Sequence, residues 1–85
     1  MASRDEIHEI LEGVAFTMKY RQTGSGWWIA YCDEVPEART QGETKEVAKE
    51  NLKDAILLIL EDYSVQELRE FRDELMSEES ELLAL

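Results

Sequence analysis

The sequence contains one cysteine, one histidine and one proline among 85 residues, and only nine basic residues against 20 acidic ones. A single cysteine excludes an intramolecular disulfide and a cysteine zinc cluster. No run of about 18 apolar residues is present, which excludes a membrane-spanning helix. The N-terminus lacks the basic start and apolar stretch of a signal peptide. We therefore expect a reducing, cytoplasmic setting and no membrane association.

The excess of acidic residues gives a net charge of −11 and a pI of about 4.4. Proteins that bind nucleic acid cluster Lys and Arg against the phosphates, so we expect no direct nucleic-acid binding. An acidic surface attracts basic proteins instead. Apolar residues make up 44% of the chain, enough for one core, and we expect a single domain over residues 1–85.

Hydrophobic periodicity predicts a short helix followed by three strands. A Ser-x-x-Glu capping box and an apolar stripe predict a helix over residues 3–12. Strict alternation over residues 14–20 predicts a half-buried strand, and the turn that follows predicts a hairpin with a second strand at 27–32. That second strand is apolar on both faces, as in a central strand. Residues 38–41 predict a short polar third strand.

Two helices are predicted after the strands. Thr44 can cap a long helix from Lys45, with an apolar stripe comprising Val47, Ala48, Leu52, Ala55, Ile56, Ile59 and Tyr63. Residues 55–60 are apolar all round, so we expect cover from more than one side. A second capping box begins an amphipathic helix over residues 64–76. The last nine residues are either a frayed tail or a docked apolar plug.

These elements predict an α+β fold in which a three-stranded antiparallel β-meander packs against a helix. Its core is residues 14–63, flanked by the short N-terminal and C-terminal helices. The two adjacent tryptophans, Trp27 and Trp28, must point to opposite faces of the sheet. We therefore expect the second face to be covered, either by a terminal helix or by a partner that uses an aromatic side chain as an anchor.

No set of residues predicts catalysis. His8 has the setting of an ordinary exposed imidazole, and Cys32 lies in an apolar strand, where a free thiol behaves as a small hydrophobe. Asp33, Glu34 and Glu37 belong to one loop, whereas a divalent cation needs carboxylates converging from different elements. We interpret them as a solvated acidic loop. The sequence therefore predicts no enzyme, no metal site and no cofactor.

Three segments together resemble the HicB-type antitoxin domain: GWWIAYCDEVP at 26–36, QGET at 41–44 and AKENLKDAI at 48–56. The resemblance spans about residues 14–63, some three-fifths of the chain. It implies a partial ribonuclease-H-like fold, in agreement with the elements above. It also implies binding to a small basic HicA-type toxin, an mRNA-cleaving protein, with blockage of the toxin's active site. Nuclease activity is not implied, because residues 14–20 contain no carboxylate.

For a HicB-like protein that self-associates and binds a basic partner, we predict two sets of contact residues. Asp33, Glu34, Glu37 and Trp27 are predicted to contact the partner. A self-association surface, forming a dimer or tetramer, is predicted for Leu57, Leu58, Leu60, Val65, Leu68, Phe71 and Leu75. Many family members carry a DNA-binding domain after this region, but residues 64–85 are too short and too acidic for one. The alternative function is a homo-oligomeric scaffold or small-ligand module without a toxin.

Overall fold

The computed structural model describes residues 1–77 and contains one three-stranded sheet and three helices. Their order is α1 (Arg4–Ile10), β1 (Met18–Gln22), β2 (Trp28–Cys32), β3 (Arg39–Gly42), α2 (Lys45–Glu61) and α3 (Val65–Ser77). The predicted α+β fold is confirmed. Residues 78–85 lie outside the described residues. They include most of the last nine residues, for which a frayed tail and a docked apolar plug were the two predictions.

The sheet is an antiparallel meander in the order β1-β2-β3, so the apolar β2 is the central strand, as predicted. The hairpin turn closes through the Thr23 N–H, which donates to the Trp27 carbonyl at 2.7 Å. Gly26 has φ +91°, a left-handed conformation that glycine adopts without a steric penalty. The turn chemistry of the sequence therefore produces the hairpin directly.

The first strand begins four residues later than the alternation predicted. Met18 pairs with Cys32, the last residue of β2, and one backbone hydrogen bond, from the Asp33 N–H to the Thr17 carbonyl, extends the pairing beyond the strands. Residues 14–16 thus lack a strand partner because the neighbouring chain turns away. They keep the predicted alternation: Val14 and Phe16 are half-buried.

Helix α2 covers one face of the sheet and packs on β2 and β3. The Thr44 hydroxyl accepts the Val47 N–H at 3.1 Å, which confirms the predicted cap. Ala48, Leu52, Ile56 and Leu60 form its buried face. Val47 does not belong to that face: it is 46% exposed, because it lies about a quarter turn away from the buried row.

Helices α1 and α3 both begin at the predicted capping boxes. Ser3 and Glu6 satisfy each other's backbone N–H groups, and Ser64 and Glu67 do the same. Helix α1 packs against α2 and α3. In α3, Phe71 stacks on Phe16, with ring centroids 6.4 Å apart, so α3 covers the segment that precedes β1.

Two residues predicted for self-association belong to the core instead. Leu60 is 1% exposed and Leu68 is fully buried. Leu60 lies on the sheet-facing row of α2, and Leu68 lies on the row of α3 that faces the rest of the chain. Their assignment to a surface was wrong, because α1 packs against both α2 and α3, and Leu60 and Leu68 belong to the same core cluster as Ile7 of α1.

The second face of the sheet is open in the part of the chain that the structure describes. Helix α1 packs against both α2 and α3, on the side of the sheet that α2 covers. Trp28 is half-buried on that side, whereas Trp27 is 42% exposed. A terminal helix therefore does not cover the second face, and cover by a partner remains a prediction.

Candidate interaction surfaces

The loop between β2 and β3 is held by its own apolar residues and projects its carboxylates outward. Val35 and Ala38 are buried, and the Ala38 N–H donates to the Val35 carbonyl at 2.9 Å. This anchored turn places Asp33 and Glu37 at the surface and leaves Glu34 half-buried. The predicted acidic loop is therefore one preformed feature with three carboxylates in different environments.

Two of these three carboxylates are engaged within the chain. Asp33 pairs with Lys19 at 2.9 Å, and this contact raises the pKa of the lysine. Glu34 accepts the Thr17 N–H and lies 3.6 Å from the Cys32 sulfur. Glu37 is exposed and has no hydrogen bond or ion pair within residues 1–77. Among the predicted loop contacts, Glu37 is thus the carboxylate that a partner reaches without displacing an internal bond.

Trp27 does not lie beside the acidic loop. It precedes β2, whereas Asp33 follows β2, so the length of the strand separates them by about 20 Å at ~3.3 Å per residue. A standard protein interface buries about 800 Å² on each partner, which corresponds to a patch wide enough to include both. Trp27 and the acidic loop therefore lie close enough to share one interface of standard size, but they do not form one compact site.

The residues predicted for self-association divide by exposure. Leu58 is 63% exposed, and Leu57, Val65 and Leu75 are half-buried. Phe71 is half-buried too, but it stacks on Phe16 and meets Tyr63 edge-on with ring centroids 6.1 Å apart. Substituting Phe71 would therefore disturb the fold, and Leu58 is the position at which self-association can be tested cleanly.

An apolar groove that the sequence did not predict lies between α1, α2 and the segment leading into β1. Its volume is about 480 Å³. The floor is apolar and the rim is polar, and the groove is lined by Ile7, His8, Leu11, Glu12, Val14, Phe16, Met18, Lys53, Ile56, Leu57 and Leu60. In the sequence, only the apolar flank of α2 at Leu57 indicated this groove. The rest could not be predicted, because the groove forms only when three separate segments pack together.

The cluster of cations on the outer sheet face is a second feature that sequence reasoning missed. We define the outer sheet face as the alternate positions of the three strands that point away from α2: Lys19, Arg21, Ile29, Tyr31, Arg39 and Gln41. The strands carry three cations and no carboxylate, within a chain of net charge −11. The cluster was missed because only the strand register brings the residues of this face, up to 22 positions apart, onto one surface.

The one thiol of the chain is enclosed. Cys32 is 1% exposed, and burial raises the pKa of its thiol, although backbone N–H groups at Val35 and Glu34 partly oppose this. The thiol is therefore protonated near neutral pH. His8 is exposed on α1 at the rim of the groove. Within residues 1–77 no group of three or more His, Cys, Asp or Glu side chains is arranged to hold a metal ion.

None of the helices formed by residues 1–77 has the length and apolar content needed to cross a membrane. The fold and surfaces thus define a small α+β chain whose sheet is basic on its outer face, while its helices and loops carry the carboxylates. Because of this division of charge, the outer sheet face favours acidic partners, whereas the helices and loops favour basic ones.

Comparison with known proteins finds one informative similarity. Over 37 residues the chain is 54% identical to a UPF0150 protein from Synechocystis sp.. The aligned stretch covers 44% of this chain and 50% of the Synechocystis protein, so it spans only half the length of that relative. No protein-family model and no solved structure matches the chain. The name of the relative states no activity, so the similarity concerns ancestry and not function.

Proposed function

We propose that this chain is a non-catalytic, HicB-like antitoxin-type protein of the cytoplasm that binds and neutralises a small basic HicA-type mRNA-cleaving toxin. The observation that carries the proposal is the distribution of charge: all 17 carboxylates of residues 1–77 lie on helices and loops and none on the strands. Complementary charge of this kind steers a basic protein into contact and mimics the RNA that the toxin cleaves. The resemblance at residues 26–56 supports the specific form of the partner.

Glu37 is the central contact of the proposal. It is the exposed, internally unpaired carboxylate of the acidic loop, whereas Asp33 and Glu34 serve the chain's own structure. Lys or Arg of a toxin would pair with Glu37 at no cost in broken internal bonds. Trp27, 42% exposed at the other end of β2, would supply an aromatic anchor at the far edge of the same interface.

The experiment is affinity capture of the tagged protein from its native host, with washes at low and then high salt. We expect a co-eluting basic protein of under about 100 residues, weakened by salt because the steering charges are screened. The recovered protein is then assayed for mRNA cleavage with and without a molar excess of this chain. Recovery of the bait alone, or cleavage that persists in that excess, would contradict the proposal.

A matched pair of variants locates the contact. Glu37→Lys should raise the concentration needed for half-inhibition about tenfold, because reversing an interfacial charge mainly slows association. Glu9→Lys makes the same charge change on the exposed surface of α1, where no contact is proposed, and should alter inhibition little. Equal losses in the two variants would mean that only net charge matters.

The alternative, a homo-oligomeric scaffold or small-ligand module, is favoured by the apolar groove and by the exposed Leu58. A groove of this volume is within the range of small-molecule sites, about 300–1,000 Å³. Light scattering at rising protein concentration tests the oligomer. A multimer that captures no basic protein would move the assignment to this alternative.

A further inference from the structure

The outer sheet face has an apolar strip where an exposed sheet normally has polar residues. Antiparallel sheets that face water on one side alternate apolar-in and polar-out. The central strand here presents Ile29 and Tyr31 outward, and Trp27 occupies the preceding alternate position with 42% of its surface exposed. Aromatic and aliphatic side chains in such a row provide the anchors of protein interfaces.

Cations flank the strip on both sides. Lys19 on β1 and Arg39 on β3 are both register partners of Tyr31, and Arg21 on β1 is the partner of Ile29. Lys19 is neutralised by Asp33, but the guanidinium groups of Arg21 and Arg39 have no hydrogen bond or ion pair within residues 1–77. Two exposed, unpaired arginines beside an apolar strip favour an occupant that is both apolar and anionic.

We propose that the outer sheet face binds an acidic amphipathic helix of a partner protein. The apolar stripe of that helix would lie along the strip Trp27–Ile29–Tyr31, and its flanking carboxylates would pair with the cations on either side. Dimensions agree: β1 and β3 lie about 10 Å apart at ~4.8 Å per strand, which matches a helix diameter of about 10 Å.

Charge separates this surface from the one proposed for a toxin. A basic protein is repelled by Arg21 and Arg39, so the proposed toxin would contact the acidic loop and reach this face only at its edge, at Trp27, which the two partners would share. Two copies of the face packed symmetrically would oppose the same cations. A single-stranded nucleic acid extends beyond the face, where the acidic helices and loops repel its phosphates. Binding of an acidic helix to this face therefore does not require that the chain also binds a toxin.

The probe is a fluorescein-labelled synthetic peptide of about 14 residues, with Leu at helical spacing and Glu on both flanks. Fluorescence anisotropy measures its binding to the full chain at about 50 and 300 mM NaCl, between which the screening length falls roughly from 14 to 6 Å. We expect binding that weakens with salt. We also expect a peptide of the same composition in scrambled order to bind at least about fivefold more weakly, because it has no apolar stripe.

Paired charge reversals locate the site. The double variant Arg21→Glu, Arg39→Glu should weaken binding at least about tenfold, since attraction becomes repulsion at the point of contact. The control, Lys49→Glu with Arg69→Glu, makes the same net charge change on exposed positions of α2 and α3. It should change affinity less than about threefold. Circular dichroism verifies that both variants remain folded.

Amide chemical shifts provide a readout independent of substitution. Bound peptide should perturb the amides of β1, β2 and β3 and leave those of α2 unchanged. Perturbation centred on the helices would overturn the proposal, as would equal affinity loss in the two double variants or no binding by the ordered peptide. An oligouridine that binds this face while the peptide does not would identify a nucleic-acid surface. If the peptide does not bind, and the mass of the chain rises with concentration unless the arginines are reversed, the occupant of this face would be a second copy of the chain. Either result would also overturn it.

Discussion

Leu58 and Leu60 lie two positions apart on α2 and are in opposite environments, so the same substitution should have very different effects. Leu60 is 1% exposed and Leu58 is 63% exposed. Truncating a buried leucine removes its transfer free energy and leaves a cavity, so Leu60→Ala should cost about 3 kcal/mol, within the usual range of about 2–5. Leu58→Ala removes only the buried third of a side chain, at most about 1 kcal/mol. Helix propensity cancels in the comparison.

This difference is large relative to the total stability of the chain. At about 0.05–0.15 kcal/mol per residue, a chain of this length has a free energy of unfolding of about 4–13 kcal/mol. At roughly 4–8 °C per kcal/mol, Leu60→Ala should lower Tm by on the order of 15 °C. Urea unfolding followed by tryptophan fluorescence gives the free energy of unfolding of both variants. Equal slopes of that free energy against urea concentration would show that both variants expose the same surface on unfolding.

Protein concentration distinguishes a core role from a self-association role. The loss in Leu60→Ala should not depend on concentration, because its contacts lie within one chain. If Leu58 belongs to an interface between copies, the loss in Leu58→Ala should grow as concentration rises, since association stabilises only the folded form. Comparable losses for both variants in dilute protein would refute the assignment of Leu60 to the core and Leu58 to the surface.

Four further substitutions, one of them a control, test the contact between the sheet and α2, the cap of α2 and the buried thiol. Gly42→Ala should destabilise by about 1–3 kcal/mol, because a Cβ would lie 2.5 Å from the backbone nitrogen of Ala48. Gly24→Ala, with open space around it, should be neutral in the same urea titration, and equal losses would refute the close approach. Thr44→Ala should cost about 1 kcal/mol through the lost cap, with reduced helicity by circular dichroism; no change would argue against the cap. Because burial raises the pKa of the Cys32 thiol in the folded state, stability should be full below about pH 9, where the thiol of the unfolded chain ionises, and fall as pH rises above it. That alkaline slope should be shallower in Cys32→Ala, and an identical slope would refute the assignment.

Local chemistry predicted most of the secondary structure. The two capping boxes and the cap at Thr44 place the helix starts correctly, because each depends on side chains and N–H groups within three residues. The hairpin turn is similarly local. The start of β1 was misplaced because a strand needs a partner, and the partner's end at Cys32 is not encoded in the alternation of residues 14–20.

The surfaces were predicted less well than the elements. The acidic loop forms as expected, but the internal bonds of Asp33 and Glu34 depend on Lys19 and Thr17, which lie far away in sequence. Leu60 and Leu68 were assigned to a surface because helical spacing gives a side chain's direction but not what lies opposite it. Their burial follows from the packing of α1, α2 and α3 together.

The sequence by itself determined the order of elements, the central position of β2, most of the buried face of α2 and the acidic character of the chain, because periodicity, turn residues and composition are local or additive properties. Only the tertiary structure decided where each charge lies. Strand register gathers Lys19, Arg21 and Arg39 around Tyr31 and Ile29, and so produces a basic face on an acidic protein. Which residues become neighbours across strands depends on the folded pairing, in which a shift of one residue would move every side chain of a strand to the opposite face.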